Sequence, residues 1–308
     1  MKKKRYPVIS VTGSSGAGTS TVKAAFTNVL RREGIRPIMI EGDSFHRYNR
    51  AEMKKKVAEA QAKGKYFSHF GRDANLFDEL ANLFKTYRET GRGKRRYYVH
   101  NEEEAAIHGV NPGEFTPWED ITEESDILFY EGLHGGVKEV FPYVDLLIGV
   151  TPVINLEWIQ KIQRDRAKRG YTTEQVVEVI KSRMDDYIDC ITPQFSRSHI
   201  NFQRIPTVDT SCPFIARDIP TEDESLIVIR IKKSLILKYN IDLTFLKKMI
   251  EGSFISRRNT IVVPGPKMRL AMEILVTPII ESLVGRDLKG LGYMGYNNNV
   301  ASGMNMHV

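Results

Sequence analysis

Cysteine is almost absent from this 308-residue chain: Cys190 and Cys212 are all it has. Two thiols cannot build a disulfide framework, and neither sits in a metal-ligand spacing. A reduced, cytoplasmic protein is the expectation. Long apolar runs are also missing. None approaches the ~18 residues that a transmembrane helix requires, so no membrane partner is expected. The basic start, Met-Lys-Lys-Lys-Arg, is not followed by the apolar segment of a signal peptide. There is no internal repeat. The most informative absence is local. A glycine-rich turn near the N-terminus lacks the lysine that its pattern usually carries.

What is present is ordinary in bulk. Hydrophobic residues make up 41% and charged residues 27%, as in globular domains. Lys+Arg 45 against Asp+Glu 38 leaves a net charge of +7. That surplus favours anionic partners such as nucleotides and sugar phosphates. Strand-like runs are expected at 7–12, 36–41, 96–99, 126–130, 145–150, 205–209, 226–230 and 260–263. Helical patterns fall at 20–33, 50–63, 73–89, 155–169, 173–189, 242–250 and 267–284. Their alternation predicts an α/β fold with a mixed, mostly parallel sheet and helices on both faces. Residues 109–125 read as a surface loop. Residues 1–288 are expected to form one domain, and 289–308, aperiodic in Gly, Asn and Met, a poorly ordered tail.

Residues 7–20 read Pro-Val-Ile-Ser-Val-Thr-Gly-Ser-Ser-Gly-Ala-Gly-Thr-Ser. An apolar strand, a turn over Gly13, Ser14, Ser15, Gly16, Ala17 and Gly18, and a helix from Ser20 make the layout of a P-loop, G-x-x-x-x-G-K-[ST]. Thr19 occupies the lysine position. Backbone donors and the helix N-terminus can still hold a polyphosphate. The missing cation must come from elsewhere. The Ser20 hydroxyl is the expected Mg²⁺ contact, with Thr19 and Thr21 as alternatives.

The segment Ile38-Met-Ile-Glu-Gly-Asp-Ser-Phe-His-Arg47 ends an apolar strand in Gly42 and Asp43. In open α/β sheets the ligand crevice lies beyond the strand ends. Phosphoryl transfer to a hydroxyl needs a base there, and Asp43 fits that role. It could instead position Mg²⁺, or simply cap a helix. His46, Arg50 and Lys54 follow. Arg50 and Lys54 are four residues apart and share a helix face, suited to an acceptor that already carries phosphate or equally to a solvated basic face. His100 is a further crevice candidate. The run Asp126-Ile-Leu-Phe-Tyr-Glu131 is a buried strand ending in an acid, a Walker-B-like arrangement that would set Glu131 against Mg²⁺. His134 touches substrate or caps the turn. Lys161, Arg164 and Arg169 bracket a basic helix end. They could fold over the phosphates as a lid and replace the absent P-loop lysine, or merely complement the helix dipole.

Taken together, these motifs resemble bacterial-type phosphoribulokinase, within the P-loop kinase superfamily that includes uridine kinase. The resemblance is carried by Gly13 to Ser20, Glu41 to Arg47, Phe129 to His134, Asn155 to Lys161, Arg164 to Thr173, Pro193 to Ser196 and Asn201 to Arg204. It runs from about residue 7 to about residue 285. A P-loop without lysine is itself characteristic of the bacterial branch. The resemblance implies a nucleoside-monophosphate-kinase-like fold. It also implies transfer of the ATP γ-phosphate to the O1 hydroxyl of ribulose 5-phosphate, giving ribulose 1,5-bisphosphate for carbon fixation in the Calvin cycle. Asp43 then resembles the base and Glu131 the metal-side acid. His46, Arg50, His100 and Arg169 resemble the sugar-phosphate contacts, with Lys54 beside them. Lys161 and Arg164 resemble the groups that stabilise transition-state charge, and Asp165 matches an acid of the lid. The resemblance further implies a homo-oligomer activated by NADH and inhibited by AMP. Arg32, Arg183, Arg230 and Arg257 stand at positions of the family's effector-linked arginines; exposed helix arginines are the alternative. No cysteine precedes Cys190, so the thiol switch of plant-type members is not expected. The loop after Glu131-Gly132 looks shortened, and the tail after about residue 285 is foreign to the pattern.

A uridine-kinase-like nucleoside kinase is the nearest rival, since it shares the lid form Arg-Asp-x-x-x-Arg-Gly at 164–170. The absent lysine and the basic set His46, Arg50 and Lys54 speak against it. A non-catalytic nucleotide sensor would need neither Asp43 nor Glu131. A nucleic-acid-binding ATPase is suggested only by the charge and by Arg92-Gly-Lys-Arg-Arg96, without a basic platform interleaved with aromatics. No nucleic-acid partner is expected.

Overall fold

The structure is a computed structural model that describes residues 6–13 and 19–285, leaving aside the side chains of residues 19, 20, 168 and 169. Ser14, Ser15, Gly16, Ala17, Gly18 and the tail from 289 lie outside the described residues. In chain order the elements are β1 (Val8–Gly13), α1 (Thr19–Arg32), β2 (Pro37–Glu41), α2 (Arg50–Gln61), α3 (Phe77–Thr90), β3 (Lys94–Arg95), α4 (Glu102–His108), β4 (Glu119–Asp120), β5 (Ile127–Gly132), β6 (Leu146–Pro152), α5 (Ile154–Arg169), α6 (Thr173–Lys181), α7 (Met184–Asp186), α8 (Thr192–Arg197), β7 (Ile200–Pro206), β8 (Ser225–Ile231), α9 (Lys233–Tyr239), α10 (Leu243–Met249), β9 (Phe254–Arg257), β10 (Thr260–Pro264) and α11 (Met268–Leu283).

Eight strands form one sheet in the order β2-β5-β1-β6-β7-β8-β10-β9. The pairs from β2 to β7 are parallel, and those from β7 to β9 antiparallel. The fold is thus the expected α/β arrangement. Burial on both faces explains the near-continuous apolar runs of β1, β5 and β6. On one face Ile9 and Val11 of β1 pack with Val22, Phe26 and Val29 of α1 and with Met272, Leu275 and Ile279 of α11. On the other, Val8 joins Ile38 and Ile40 of β2 and Leu80, Leu83, Phe84 and Tyr87 of α3. A third, small cluster of Ile162, Val176 and Ile180 holds α5 to α6 away from the main core.

Several expectations are corrected. Residues 96–99 are not a strand. β3 and β4 pair instead in a separate two-stranded ribbon, extended by a lone bridge between Tyr98 and Phe115. The run 205–209 is displaced to β7, where buried Ile200 and Phe202 are flanked by polar partners that mask the pattern. The helix expected over 173–189 ends at Lys181, and α7 leads into a π-helical turn over Tyr187–Ile191. The helix expected from 73 begins at Phe77, after a 3₁₀ turn at Arg72–Ala74. Four short elements, α4, α8, α9 and β9, were not predicted. Each is seven residues or fewer, too brief for a periodicity to show.

Candidate active site

The C-terminal ends of β2, β5 and β1 meet at one edge of the sheet, in register Glu41↔Glu131 and Val11↔Glu131. β1 runs to Gly13 and α1 starts at Thr19, so the helix N-terminus opens on that same edge, where an anion is favoured. Gly42 and Gly132 lie back to back beyond β2 and β5. A Cβ on Gly42 would stand 2.8 Å from the Gly132 Cα, and one on Gly132 only 2.6 Å from the Gly42 Cα. Glycine at both positions lets the two strand ends approach. That approach brings Asp43 beside the β5 end that carries Glu131.

Asp43 lies in a 3₁₀ turn over Gly42–Phe45. Its carboxylate faces two imidazoles: His46 Nε2 at 3.2 Å and His100 Nε2 at 3.9 Å. Burial alone would raise its pKa. The hydrogen bond with His46 and the positive potential of His46 and His100 outweigh that effect and hold the carboxyl below its usual range. The side chain is nevertheless 45% exposed, open to a ligand. His46 is buried and oriented by Asn75. The Asn75 Nδ2 group donates to the carbonyls of His69 (2.9 Å) and Gly71 (2.7 Å). Its Oδ1 is therefore the acceptor for His46 Nδ1–H at 2.8 Å. His134 is buried beside them, with Nε2–H donating to the His69 carbonyl at 3.0 Å. Burial drives His69 down to about 3 and His134 to about 4, so both rings are neutral.

Arg50 opens α2 and donates from Nη2 to the His100 carbonyl at 3.1 Å. Lys54 is exposed on the same helix, one turn further on. Arg50 and Lys54 thus make a basic rim along α2, which Arg50 joins to His100 and so to the Asp43 side. Across the site, the buried carboxylate of Asp165 on α5 binds two cations: Lys161 Nζ at 2.6 Å and Arg164 Nε at 3.1 Å. Asp165 is 2% exposed, so it arranges those cations rather than reaching a substrate. Lys161 is shifted downward, first by burial and then by the neighbouring Arg183 and Arg164 cations, despite its bond to Asp165. Arg169 is the last residue of α5, followed by Gly170 in a left-handed cap; its side chain lies outside the description, as do those of Thr19 and Ser20. Thr21 lies in the first turn of α1.

The four arginines linked to effectors by resemblance are scattered. Arg183 precedes α7, with its guanidinium 5.7 Å from the Phe70 ring centre and its charge felt by His69 and Lys161, so it borders the crevice. Arg32 is bound to Glu33, Glu273 and Thr277 at the far end of α1. Arg230 donates to the Phe195 carbonyl from β8, and Arg257 is exposed on edge strand β9.

Asn75, His69 and Gln194 escaped the sequence reading. Gln194 is fully buried and uses its whole amide. Nε2 donates to the Leu133 and Cys190 carbonyls; Oε1 accepts from Gly136 N–H and Thr12 Oγ1–H. It ties the end of β1 to the loop after β5. Gln194 lies in the Pro193 to Ser196 segment of the resemblance, which gave it no role; Asn75 and His69 lie in no motif, and the partners of Asn75 and Gln194 are 4 to 182 residues away in sequence.

Among the described residues no group of three or more His, Cys, Asp or Glu side chains could hold a metal ion. That suits Mg²⁺, which is bound by one or two carboxylates together with substrate phosphates rather than by an all-protein cage. The hard oxygen donors of Glu131 and Asp43 match it.

A mixed, mostly parallel sheet with a helix N-terminus and strand-end carboxylates at one edge is the arrangement of a P-loop kinase. Residues 8–211 match the phosphoribulokinase / uridine kinase family, and the chain belongs to it. It is 57% identical over 288 residues to the chromosomal phosphoribulokinase of Cupriavidus necator, covering 92% of this chain and 97% of that protein. It is also 57% identical to phosphoribulokinase 2 of Cereibacter sphaeroides over 286 residues, covering 91% and 97%. The solved structure of phosphoribulokinase from Rhodobacter spheroides superposes with a TM-score of 0.83 at 53% identity, covering 92% of this chain and 98% of that one.

Proposed function

We propose that this chain transfers the γ-phosphoryl group of ATP to the O1 hydroxyl of ribulose 5-phosphate, giving ribulose 1,5-bisphosphate and ADP. The observation that carries this reading is the Asp43 carboxylate held between His46 and His100 beside the basic rim of Arg50 and Lys54. The relatives that align over nine-tenths of the chain act in the same sense by name.

In this reading Asp43, ionised at neutral pH, takes the hydroxyl proton as the oxygen attacks phosphorus. A depressed carboxylate suffices as base, because the transition state is loose and the proton leaves late. His46, Arg50, Lys54, His100 and Arg169 bind the acceptor and its 5-phosphate. Lys161 and Arg164, aligned by Asp165, meet the charge on the transferring group and replace the absent P-loop lysine. The hairpin of α5 and α6, with its own small core, acts as a lid. Glu131 and Ser20 would hold Mg²⁺, which would neutralise charge on the ATP phosphates; Asp43 as a metal contact is the alternative to its role as base. NADH and AMP are proposed effectors, and a homo-oligomer the proposed assembly. No helix among the described residues is long and apolar enough to cross a membrane.

The test is an ADP-release assay with ATP and Mg²⁺, offering ribulose 5-phosphate, ribose 5-phosphate and uridine in turn, each with and without NADH. Turnover with ribulose 5-phosphate alone supports the reading. Turnover with uridine would transfer the chain to the nucleoside-kinase side of its family.

A further inference from the structure

Arg96 belongs to a basic run that the reaction as derived does not use. Its side chain is half-buried and meets main-chain carbonyls of the turn that carries Asp43. Nε donates to the Ser44 carbonyl at 2.8 Å, and Nη2 to the His46 carbonyl at 2.6 Å. The two bonds straddle the turn. The flat guanidinium is held between aromatic rings, its central carbon 3.7 Å from the Phe115 ring centre and 4.7 Å from that of Trp118. Trp118 in turn packs edge-on against Phe45, whose ring lies 5.6 Å away. Ser44 Oγ closes the turn internally by donating to the Glu41 carbonyl at 2.6 Å.

From this geometry we propose that Arg96 is a positioning residue for phosphoryl transfer: its forked guanidinium, stacked between Phe115 and Trp118, sets the direction in which the 43–46 turn presents Asp43 and His46. Main-chain bonds close the turn (His46 N–H to the Asp43 carbonyl, 3.2 Å) and tie its end to the 74–76 segment (Arg47 N–H to Ala74, Leu76 N–H to Phe45); what they leave open is its tilt relative to the segment that carries Arg96. Two charge-assisted bonds to alternate carbonyls supply that constraint. Only a planar fork can make both while lying flat between two rings; a lysine keeps the charge and loses the geometry. Displacement of a reacting group by an ångström costs about 10²-fold in rate.

The proposal rests on Asp43 being the base, and the experiment separates the two. Arg96→Lys is expected to lower kcat about 10²-fold with ribulose 5-phosphate, while KM for ATP and the melting temperature stay at wild-type values. Because Arg96 acts through Asp43, the double variant Arg96→Lys/Asp43→Asn should be no slower than Asp43→Asn alone. In Arg96→Ala, millimolar guanidinium should restore part of kcat by re-entering the aromatic slot, and methylammonium should not. Trp118→Leu, which keeps Arg96 but removes one ring, should show a smaller loss of the same kind. Wild-type kcat in Arg96→Lys overturns the proposal. So does a fall in kcat shared equally by ATP affinity and melting temperature, or a double variant slower by the full product. An active Asp43→Asn with an impaired Arg96→Lys would instead sink the assignment of the base.

Discussion

At the scale of single residues, reactivity here depends on how charges are held. Asp43 carries the clearest consequence. Asp43→Asn keeps the shape of the side chain beside His46 but removes the proposed base. Its kcat is expected to fall by orders of magnitude with ATP binding largely retained; full activity would remove Asp43 from the mechanism. Asp165 works differently. Its carboxylate is almost fully buried between Lys161 and Arg164. Asp165→Ala leaves two cations without their common anchor, and lowered kcat with little change in KM for ribulose 5-phosphate is the expected split. Arg169→Ala is expected to raise chiefly KM for the sugar phosphate, as measured in steady-state kinetics. A sequence reading could nominate Asp43, His46, Arg50 and His100, because each follows a strand end or shares a helix face with another cation. It could not nominate Asn75 or Arg96. Asn75 acts by accepting from the His46 ring 29 residues away, and Arg96 by donating to main-chain carbonyls of the turn 50 and 52 residues away; neither kind of bond leaves a trace in local residue pattern.

At the scale of elements, the site depends on two strands ending closer together than side chains would allow. Gly132→Ala would drive a methyl group to within contact of Gly42 Cα and Tyr130 Oη. The cost is expected to be about 1–3 kcal/mol of stability, typical of overpacking, with a fall in kcat as Asp43 is pushed aside. Denaturant unfolding and the ADP assay on one preparation check both. The strands β1, β5 and β6 were legible as apolar runs because they are buried on both faces, and edge strand β2 because Ile38 and Ile40 alternate into the core. The 96–99 segment was not, since apparent alternation there belongs to a ribbon outside the main sheet. The break after Lys181 was also hidden. Its continuation through α7 and a π-helical turn is favoured by tertiary bonds, including Ser68 Oγ donating to Asp186 and Tyr187 OH donating to Glu157.

At the scale of the whole molecule, the sheet from β2 to β9 unites residues far apart in sequence, and we propose that the described chain is one cooperative domain. A single unfolding transition by two spectroscopic probes is the expected result. Acid sensitivity also belongs to this scale. Burial holds His69 near 3, and His134 and His199 near 4, against about 6.5 in the unfolded chain. Between those values the unfolded state binds more protons than the folded one, so stability falls as pH drops from about 6.5 toward 4. Each such histidine contributes a slope of up to about 1.4 kcal/mol per pH unit in that window. Melting temperatures measured from pH 7.5 to 4.5, in wild type and His199→Asn, check the sign; the variant should show the shallower decline.

The sequence by itself determined the class of fold, the order of the motifs and the chemistry available at each strand end. Apolar runs, glycine turns and strand-terminal acids are local patterns, and local patterns survive in one dimension. Only the tertiary structure decided which of those groups meet. The approach of Gly42 to Gly132, the Asn75 bond that orients His46, the carboxylate of Asp165 shared by two cations and the Arg96 fork behind the catalytic turn all join separate elements. Each depends on distances of a few ångströms set by packing of the whole sheet, and no spacing along the chain encodes such a distance.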